Sequence, residues 1–370
     1  VARKGQQQLT VSMSLADRLH TWGAIPYEEC KVKFWLPTKQ TPLDCAISGG
    51  KGIPGGRSVM IRGPENSGKD VFAFLCIASA QEHSGRGILL QGERRIGDGL
   101  INLTGVCTDT DSLLIRQPKS LQELLDDLKW VILQIVMTPY DPMETPTVIV
   151  VNSVASFGIE DLVLVEKNKK GVREKNQPMS APALWDRFFK SEEYKLIADR
   201  NIYIIFINQL RDNVDFFSYG PKTSNSPGGW AIKHNISVRI DIERMSLGPM
   251  LNDPMKKQLD DEFEAGYVMH QKITKNDVGP GGRQARSAWF GHYGLDDVLS
   301  MFSWLCDCGY IYGNGSGRFT IGDQTQTYVE WLEIIRGNHQ WEFWLREMFK
   351  KAYVDRSLYK GKPLLHGSED

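Results

Sequence analysis

Eight consecutive residues, Gly63-Pro64-Glu65-Asn66-Ser67-Gly68-Lys69-Asp70, have the types and spacing needed to hold a polyphosphate. The glycines let backbone N–H groups turn toward phosphate oxygens, a helix starting at the end of the run adds the partial positive charge of its N-terminus, and Lys69 reaches the outer phosphates. The apolar run Ser58–Arg62 precedes it and Val71-Phe72-Ala73 follows, giving the order strand, glycine loop, helix that such a loop requires. The alternative is a glycine turn that binds nothing. Where a phosphate loop uses Ser or Thr as a Mg²⁺ ligand, this chain has Asp70. A second departure lies at Asn152, the end of the apolar run Thr147–Asn152, where a nucleotide-binding sheet presents an aspartate to the metal. An apolar strand ending in Asn-Ser is also ordinary core. Glu93, just past the run Gly87–Gln91, is the acidic candidate for orienting an attacking water, although an isolated glutamate after a strand is equally an ordinary surface residue.

Two polar stretches have a different chemistry. Lys167 to Lys175 carries five basic residues (Lys167, Lys169, Lys170, Arg173 and Lys175) against one acidic residue, Glu174, a density suited to phosphate neutralisation and also to a solvated face. Arg211 to Trp230 sets Phe216, Phe217, Tyr219 and Trp230 among polar residues and contains Pro227-Gly228-Gly229. Aromatic rings on a loop near a basic segment suit single-stranded nucleic acid, whose bases stack on them; a partner-binding or self-packing loop has the same composition.

Elements that must position these residues follow from periodicity. Ser58–Arg62, Gly87–Gln91, Thr147–Asn152 and Ile202–Asn208 are β-rich runs of the kind buried on both faces of a parallel sheet. Between them Leu121 to Val136 has one apolar stripe, with Ser120 and Glu123 as a capping box, so strands alternate with helices and predict an α/β parallel sheet. Ser237–Glu243 and Gly266–Thr274 read as strands of an antiparallel extension. At the front, Ser12 to Trp22 predicts a short amphipathic helix and Tyr27 to Leu36 an extended segment. Beyond Tyr293 come an apolar helix, a turn at Gly313–Gly317 and an amphipathic helix over Gln340–Tyr353, which read as a small C-terminal domain.

Composition narrows the class. The 370 residues are 41% hydrophobic and 24% charged, which excludes a disordered chain, a collagen-like repeat or a coiled-coil rod as the whole molecule. Lys+Arg 44 against Asp+Glu 45 leaves a net charge of -1, so any nucleic-acid site must be local. Six cysteines without zinc-site spacing predict reduced thiols, and with no apolar stretch of membrane length and no signal-like start the expected location is the cytoplasm.

Taken in order, these motifs resemble the RecA family of DNA strand-exchange ATPases. The resemblance runs from about Leu36 to Gly291 through Thr41-Pro42-Leu43-Asp44, Gly52-Ile53-Pro54-Gly55-Gly56-Arg57, the phosphate loop, Phe206-Ile207-Asn208-Gln209-Leu210-Arg211, Gly228-Gly229-Trp230-Ala231-Ile232-Lys233, Ser237–Ile242 and Lys272-Ile273-Thr274-Lys275-Asn276. The N-terminal arm and the Gly294-Leu295-Asp296-Asp297 stretch look most like the bacteriophage UvsX branch. The resemblance implies an α/β RecA-like P-loop ATPase core over 36–292, an oligomerisation arm over 1–35 and a small C-terminal α+β domain over 293–370. It implies ATP and Mg²⁺ as cofactors, single-stranded and homologous duplex DNA as partners, a helical filament, and possible mediator or single-strand-binding proteins.

Carried onto this chain, Gly63 to Lys69 hold the triphosphate and Glu93 activates water. Gln209 senses the γ-phosphate and couples it to a DNA loop from Arg211 to Gly228 and Gly229. Lys167 to Lys175 form the other DNA loop, and Lys233 and Lys275 act at the neighbouring subunit's ATP. Against the family pattern stand Asp70 for Thr or Ser, Asn152 for Asp, and Asp277 for a basic residue. The first two changes leave the carboxylate count unchanged and move its position, so that Asp70 becomes the Mg²⁺ ligand with Asn152 as its hydrogen-bonding partner. The alternative is a filament protein that binds nucleotide on single-stranded DNA and hydrolyses it weakly or not at all.

Overall fold

The computed structural model describes residues 14–15, 21–24, 27–92, 97–138, 145–159, 180–209, 229–247, 266–314 and 316–358. Its strands are β1 Trp35–Leu36, β2 Ile53–Pro54, β3 Arg57–Gly63, β4 Arg86–Gln91, β5 Leu113–Arg116, β6 Thr147–Asn152 and β7 Ile202–Gln209. They continue with β8 Val238–Ser246, β9 Gly266–Asn276, β10 Gln284–Phe290, β11 Gly294–Asp296, β12 Tyr312–Gly313, β13 Arg318–Ile321 and β14 Gln324–Thr327. Nine of them form one sheet in the order β11-β10-β9-β8-β3-β7-β6-β4-β5. From β8 to β5 every neighbouring pair is parallel, and from β8 to β11 every pair is antiparallel.

The apolar runs explain the parallel half. Val148–Val151 and Ile202–Ile207 are buried throughout because both faces of the sheet are covered. Val59 and Ile61 face one core, with helices Thr41–Ser48 and Lys69–Glu82 and the C-terminal helices Asp297–Asp307, Tyr328–Gly337 and His339–Leu358. Met60, Phe206, Ile149 and Val151 face the other, with helices Leu121–Met137, Ala181–Phe189 and Gly229–Asn235. On helix Leu121–Met137 the predicted stripe is the buried face, Leu121, Leu124, Leu125, Leu128, Val131 and Ile132; each fully buried side chain of this size contributes about 1.5–3 kcal/mol. Cutting back one such residue, as in Leu128→Ala, costs about 2–5 kcal/mol.

Several elements differ from the sequence expectation. Ser120 Oγ does accept from Glu123 N at 3.1 Å, but the Glu123 carboxylate bonds Lys119 N and Arg116, so the reciprocal half of the capping box goes to the preceding residue. Tyr27–Cys30 is a turn of 3-10 helix, with only Trp35–Leu36 extended. β8 pairs parallel with β3, and the antiparallel extension starts one strand later, at β9. Helices Asp98–Thr104 and Tyr328–Gly337 and strand β5 are additional.

Past residue 293 the chain stays on the same core. β11 closes the edge of the main sheet and Asp296 caps the following helix by accepting from Leu299 N at 2.9 Å. A polar clasp ties that helix to helix Thr41–Ser48: Asp297 accepts from Thr41 N (2.8 Å) and Thr41 Oγ1 (2.6 Å), and Arg346 of the last helix pairs with Asp297 at 3.2 Å. Next to it, buried Asp44 accepts from Thr38 N (3.0 Å) and Thr38 Oγ1 (2.7 Å). Burial pushes the Asp44 carboxyl up to about 7, with Asp297 pushing the same way and Thr38 and Arg346 opposing.

Candidate active site

The carboxyl edge of the parallel strands is where the chemistry-bearing residues meet. β3 ends at Gly63, the loop Pro64–Gly68 follows, and helix Lys69–Glu82 starts directly from it. Two glycines are required here, Gly63 by contact with backbone and Gly68 by its own backbone conformation. A Cβ on Gly63 would lie 2.2 Å from Ile242 O, and one on Gly68 would lie 2.7 Å from Met269 Sδ. Gly68 also has φ +98°, in the left-handed region that side chains avoid. β8 and β9 therefore press on the back of the loop. Within it Ser67 Oγ donates to Pro64 O at 2.9 Å, and the Lys69 ammonium donates to the same carbonyl with Ser67 Oγ at 3.5 Å. Burial holds the Lys69 ammonium below its ordinary range, while the Asp70 and Glu65 carboxylates oppose that shift.

Asp70 stands in the first turn of the helix, exposed. Asn152, half-buried at the end of β6, donates from Nδ2 to Asp70 Oδ1 at 2.9 Å. The two departures from the family pattern are thus in direct contact. The Asn152–Ser153 peptide is cis. Gln91, the last residue of β4, is 2% exposed and in register with Asn152; the sequence reading passed over it, and its signal was the one Asn152 gave, a polar residue ending a buried strand. Ile242 and Met269, which back the loop, had no signal short of the fold. Gln209 ends β7 in register with Gly63, so the expected γ-phosphate sensor lies beside the first residue of the loop.

Lys233 and Lys275 come together at helix Gly229–Asn235. Lys275 Nζ donates to His234 O (2.8 Å) and Ile236 O (2.6 Å) at that helix's C-terminus and lies 3.4 Å from Asp277. Burial, reinforced by the positive charges of Arg62 and Arg239, holds the Lys233 ammonium below its ordinary range. Arg62 in turn is paired in bidentate fashion with Asp241 on the adjacent strand. Gly229 starts the helix. Glu93, Lys167, Lys169, Lys170, Arg173, Arg211, Phe216, Phe217, Tyr219 and Gly228 lie outside the described residues. The described chain reaches the basic stretch through Ile159, shortly after β6, and enters the aromatic stretch directly from Gln209. Trp185, Phe188, Phe189 and Phe206 anchor the return from the first stretch against β7, Trp185 meeting Phe206 edge-on at 5.5 Å.

The donor set suits a metal nucleotide. The cradle admits no side chain, a cation stands at its floor, and the group beside the helix start is a carboxylate with an amide partner, all oxygen-ligand chemistry. Among the described residues no group of three or more His, Cys, Asp or Glu is placed to hold a metal ion by itself.

Residues 23–293 match the family model for the RecA N-terminal domain. The chain belongs to the RecA family. It is 29% identical over 342 residues to Protein RecA of Cutibacterium acnes, covering 90% of this chain and 88% of that one. Protein RecA of Thermus thermophilus is 29% identical over 325 residues, covering 85% and 86%. Protein RecA of Streptomyces rimosus is 30% identical over 290 residues, covering 78% and 69%. As a RecA-family member it is a DNA-dependent ATPase that uses ATP with Mg²⁺, binds single-stranded and duplex DNA, forms helical filaments and promotes homologous pairing and strand exchange. Among the described residues no helix is long and apolar enough to cross a membrane.

Proposed function

We propose that the recombinase works through a metal site whose carboxylate has moved from the sheet to the helix, and that it belongs to the UvsX-like branch acting in phage-infected bacterial cells. The Asn152 Nδ2 to Asp70 Oδ1 bond carries the reading of the metal site, and the N-terminal arm with the Gly294–Asp297 stretch supports the branch. Gly63 to Lys69 would cradle the triphosphate and Asp70 would hold the Mg²⁺, which when bound supplies charge neutralisation for phosphoryl transfer. Asn152, donating to one carboxylate oxygen, aims the other without adding charge. Lys69 leaves the Pro64 carbonyl for a phosphate oxygen, a gain because its present acceptor is neutral. Glu93 orients water, and Gln209 transmits the state of the γ-phosphate into the loop Arg211–Gly228 that follows it.

Lys167, Lys169, Lys170 and Arg173 neutralise DNA phosphates, and Phe216, Phe217 and Tyr219 engage bases. Lys233 and Lys275 face the neighbouring subunit's nucleotide, with Asp277 restraining Lys275 until that anion arrives. The arm over 1–35 docks on the next subunit, in that subunit's groove of about 660 Å³ beside edge strand β5, lined by Ile88, Leu90, Leu114, Ile115 and Trp130. Supporting this are the arm's own exposed Leu15 and Trp22, 67% and 83% accessible. The proposed C-terminal unit over 293–370 is an appendage to the ATPase fold rather than a separate core, its described residues packing on the main cluster. Strand exchange between circular single-stranded DNA and homologous linear duplex tests the proposal. Exchange that needs ATP and Mg²⁺, and falls further than DNA binding does in Phe216→Ala/Phe217→Ala, is expected; nucleotide-independent exchange would refute it.

A further inference from the structure

Residue 70 carries a consequence for which form of the nucleotide can enter. The loop holds one cation, Lys69, 6% exposed, whose ammonium already donates to a backbone carbonyl. Beside it stand two carboxylates, Glu65 and Asp70, both exposed, so the loop itself has more negative than positive charge. Asp70 also occupies the first turn of helix Lys69–Glu82, where a carboxylate offsets the partial positive charge that would otherwise draw in phosphates. Asn152 cannot correct the balance. Its amide fixes the carboxylate by a 2.9 Å bond and remains neutral.

We propose that Asp70 is a specificity determinant that admits nucleoside triphosphate only as its divalent-metal complex and turns the metal-free polyanion away. The inference rests on the reading of Gly63–Asp70 as the ATP site. Without metal, the carboxylate at the helix start faces the phosphates as a like charge. With Mg²⁺ bound, the same carboxylate would serve as an anionic oxygen ligand, the kind of donor this hard cation favours. The sign of one contact thus reverses with the metal. A hydroxyl at this position lacks that reversal: it neither repels the free phosphates nor binds the cation as an anion. Residue 70 therefore sets how steeply nucleotide binding depends on metal, separately from any effect on hydrolysis. The amide of Asn152 belongs to the same device, because it orients the carboxylate while leaving its full charge to act.

The test is equilibrium binding of a fluorescent ATP analogue to the full chain, in excess EDTA and in saturating Mg²⁺, for the unmodified protein, Asp70→Asn and Asp70→Thr. Thermal melts of each variant establish that it is folded. The unmodified protein is expected to bind about a hundredfold more tightly with Mg²⁺ than in EDTA, two decades at about 1.4 kcal/mol each. Asp70→Asn keeps an acceptor for Asn152 and loses the charge, so in EDTA it should bind about tenfold more tightly than the unmodified protein, one such decade. Equal affinity with and without Mg²⁺ in the unmodified protein, or no gain in EDTA for either folded variant, would overturn the inference. No binding by the folded, unmodified protein even with Mg²⁺ would overturn the assignment of the ATP site, and the inference with it.

Discussion

Exchanging Asp70 and Asn152 back to the family residues, singly and together, separates a relocated metal ligand from a disabled one. In the structure the two side chains share one hydrogen bond of 2.9 Å. Asp70→Thr removes the anionic ligand and leaves the Asn152 amide without its acceptor. Loss of a direct metal ligand costs about 3 kcal/mol of transition-state stabilisation, roughly a hundredfold in rate. Asn152→Asp replaces the donor by a second carboxylate at hydrogen-bond distance from the first. Two like charges about 4 Å apart repel by about 4 kcal/mol at an effective dielectric constant of 20, an upper value because Asp70 is exposed and can be screened. The double exchange puts a hydroxyl beside a single carboxylate, restoring both the charge count and a hydrogen-bonded pair. The assay is ATP hydrolysis at saturating single-stranded DNA. Each single variant should lose about one to two decades and the double variant should recover most of the loss, a coupling of about 3–5 kcal/mol. Additive losses, or a gain in activity from Asp70→Thr alone, would refute the reasoning.

Urea unfolding across pH checks the clasp around Asp44. Its folded carboxyl sits at about 7 against 3.8 unfolded, so between those values the folded state binds more protons and stability falls as pH rises. Asp44→Asn keeps an acceptor for Thr38 and should flatten that fall, gaining up to roughly 4 kcal/mol over the unmodified protein above pH 7 and nothing below pH 4; an unchanged pH slope would count against it. Replacing Lys167, Lys169 and Lys170 with Ala should weaken single-stranded DNA binding and flatten its dependence on log salt by about 0.7 for each phosphate left without its lysine. An unaltered slope would return that run to a solvated face.

The sequence carried the sheet's centre because β3, β6 and β7 are buried on both sides, and so have the apolar middles Val59–Ile61, Val148–Val151 and Ile202–Ile207. It carried the loop because glycine, lysine and their flanks report one local backbone path. It did not carry β5, an edge strand whose Leu114 and Ile115 remain 45% and 49% exposed and whose four residues lack a period. Nor did it carry helix Asp98–Thr104, in which only Thr104 is buried. The direction of β8 was illegible for another reason: Val238, Ile240 and Ile242 alternate in the same way whether the neighbour runs parallel or antiparallel. Residue types could suggest that Asp70 and Asn152 compensate, but their contact spans 82 positions and depends on the register of β6 with the loop. The same non-locality hid the Asp297–Thr41–Arg346 clasp and the way Ile242 and Met269 leave no room at Gly63 and Gly68.

Electron microscopy of the protein on single-stranded DNA, with Mg²⁺ and either ATP or a slowly hydrolysed analogue, tests most directly whether the relocated carboxylate serves a working recombinase. Continuous helical filaments that form with the metal nucleotide and disassemble when it is removed are the expected result. Discrete closed rings under every nucleotide condition, or filaments indifferent to nucleotide and metal, would contradict it.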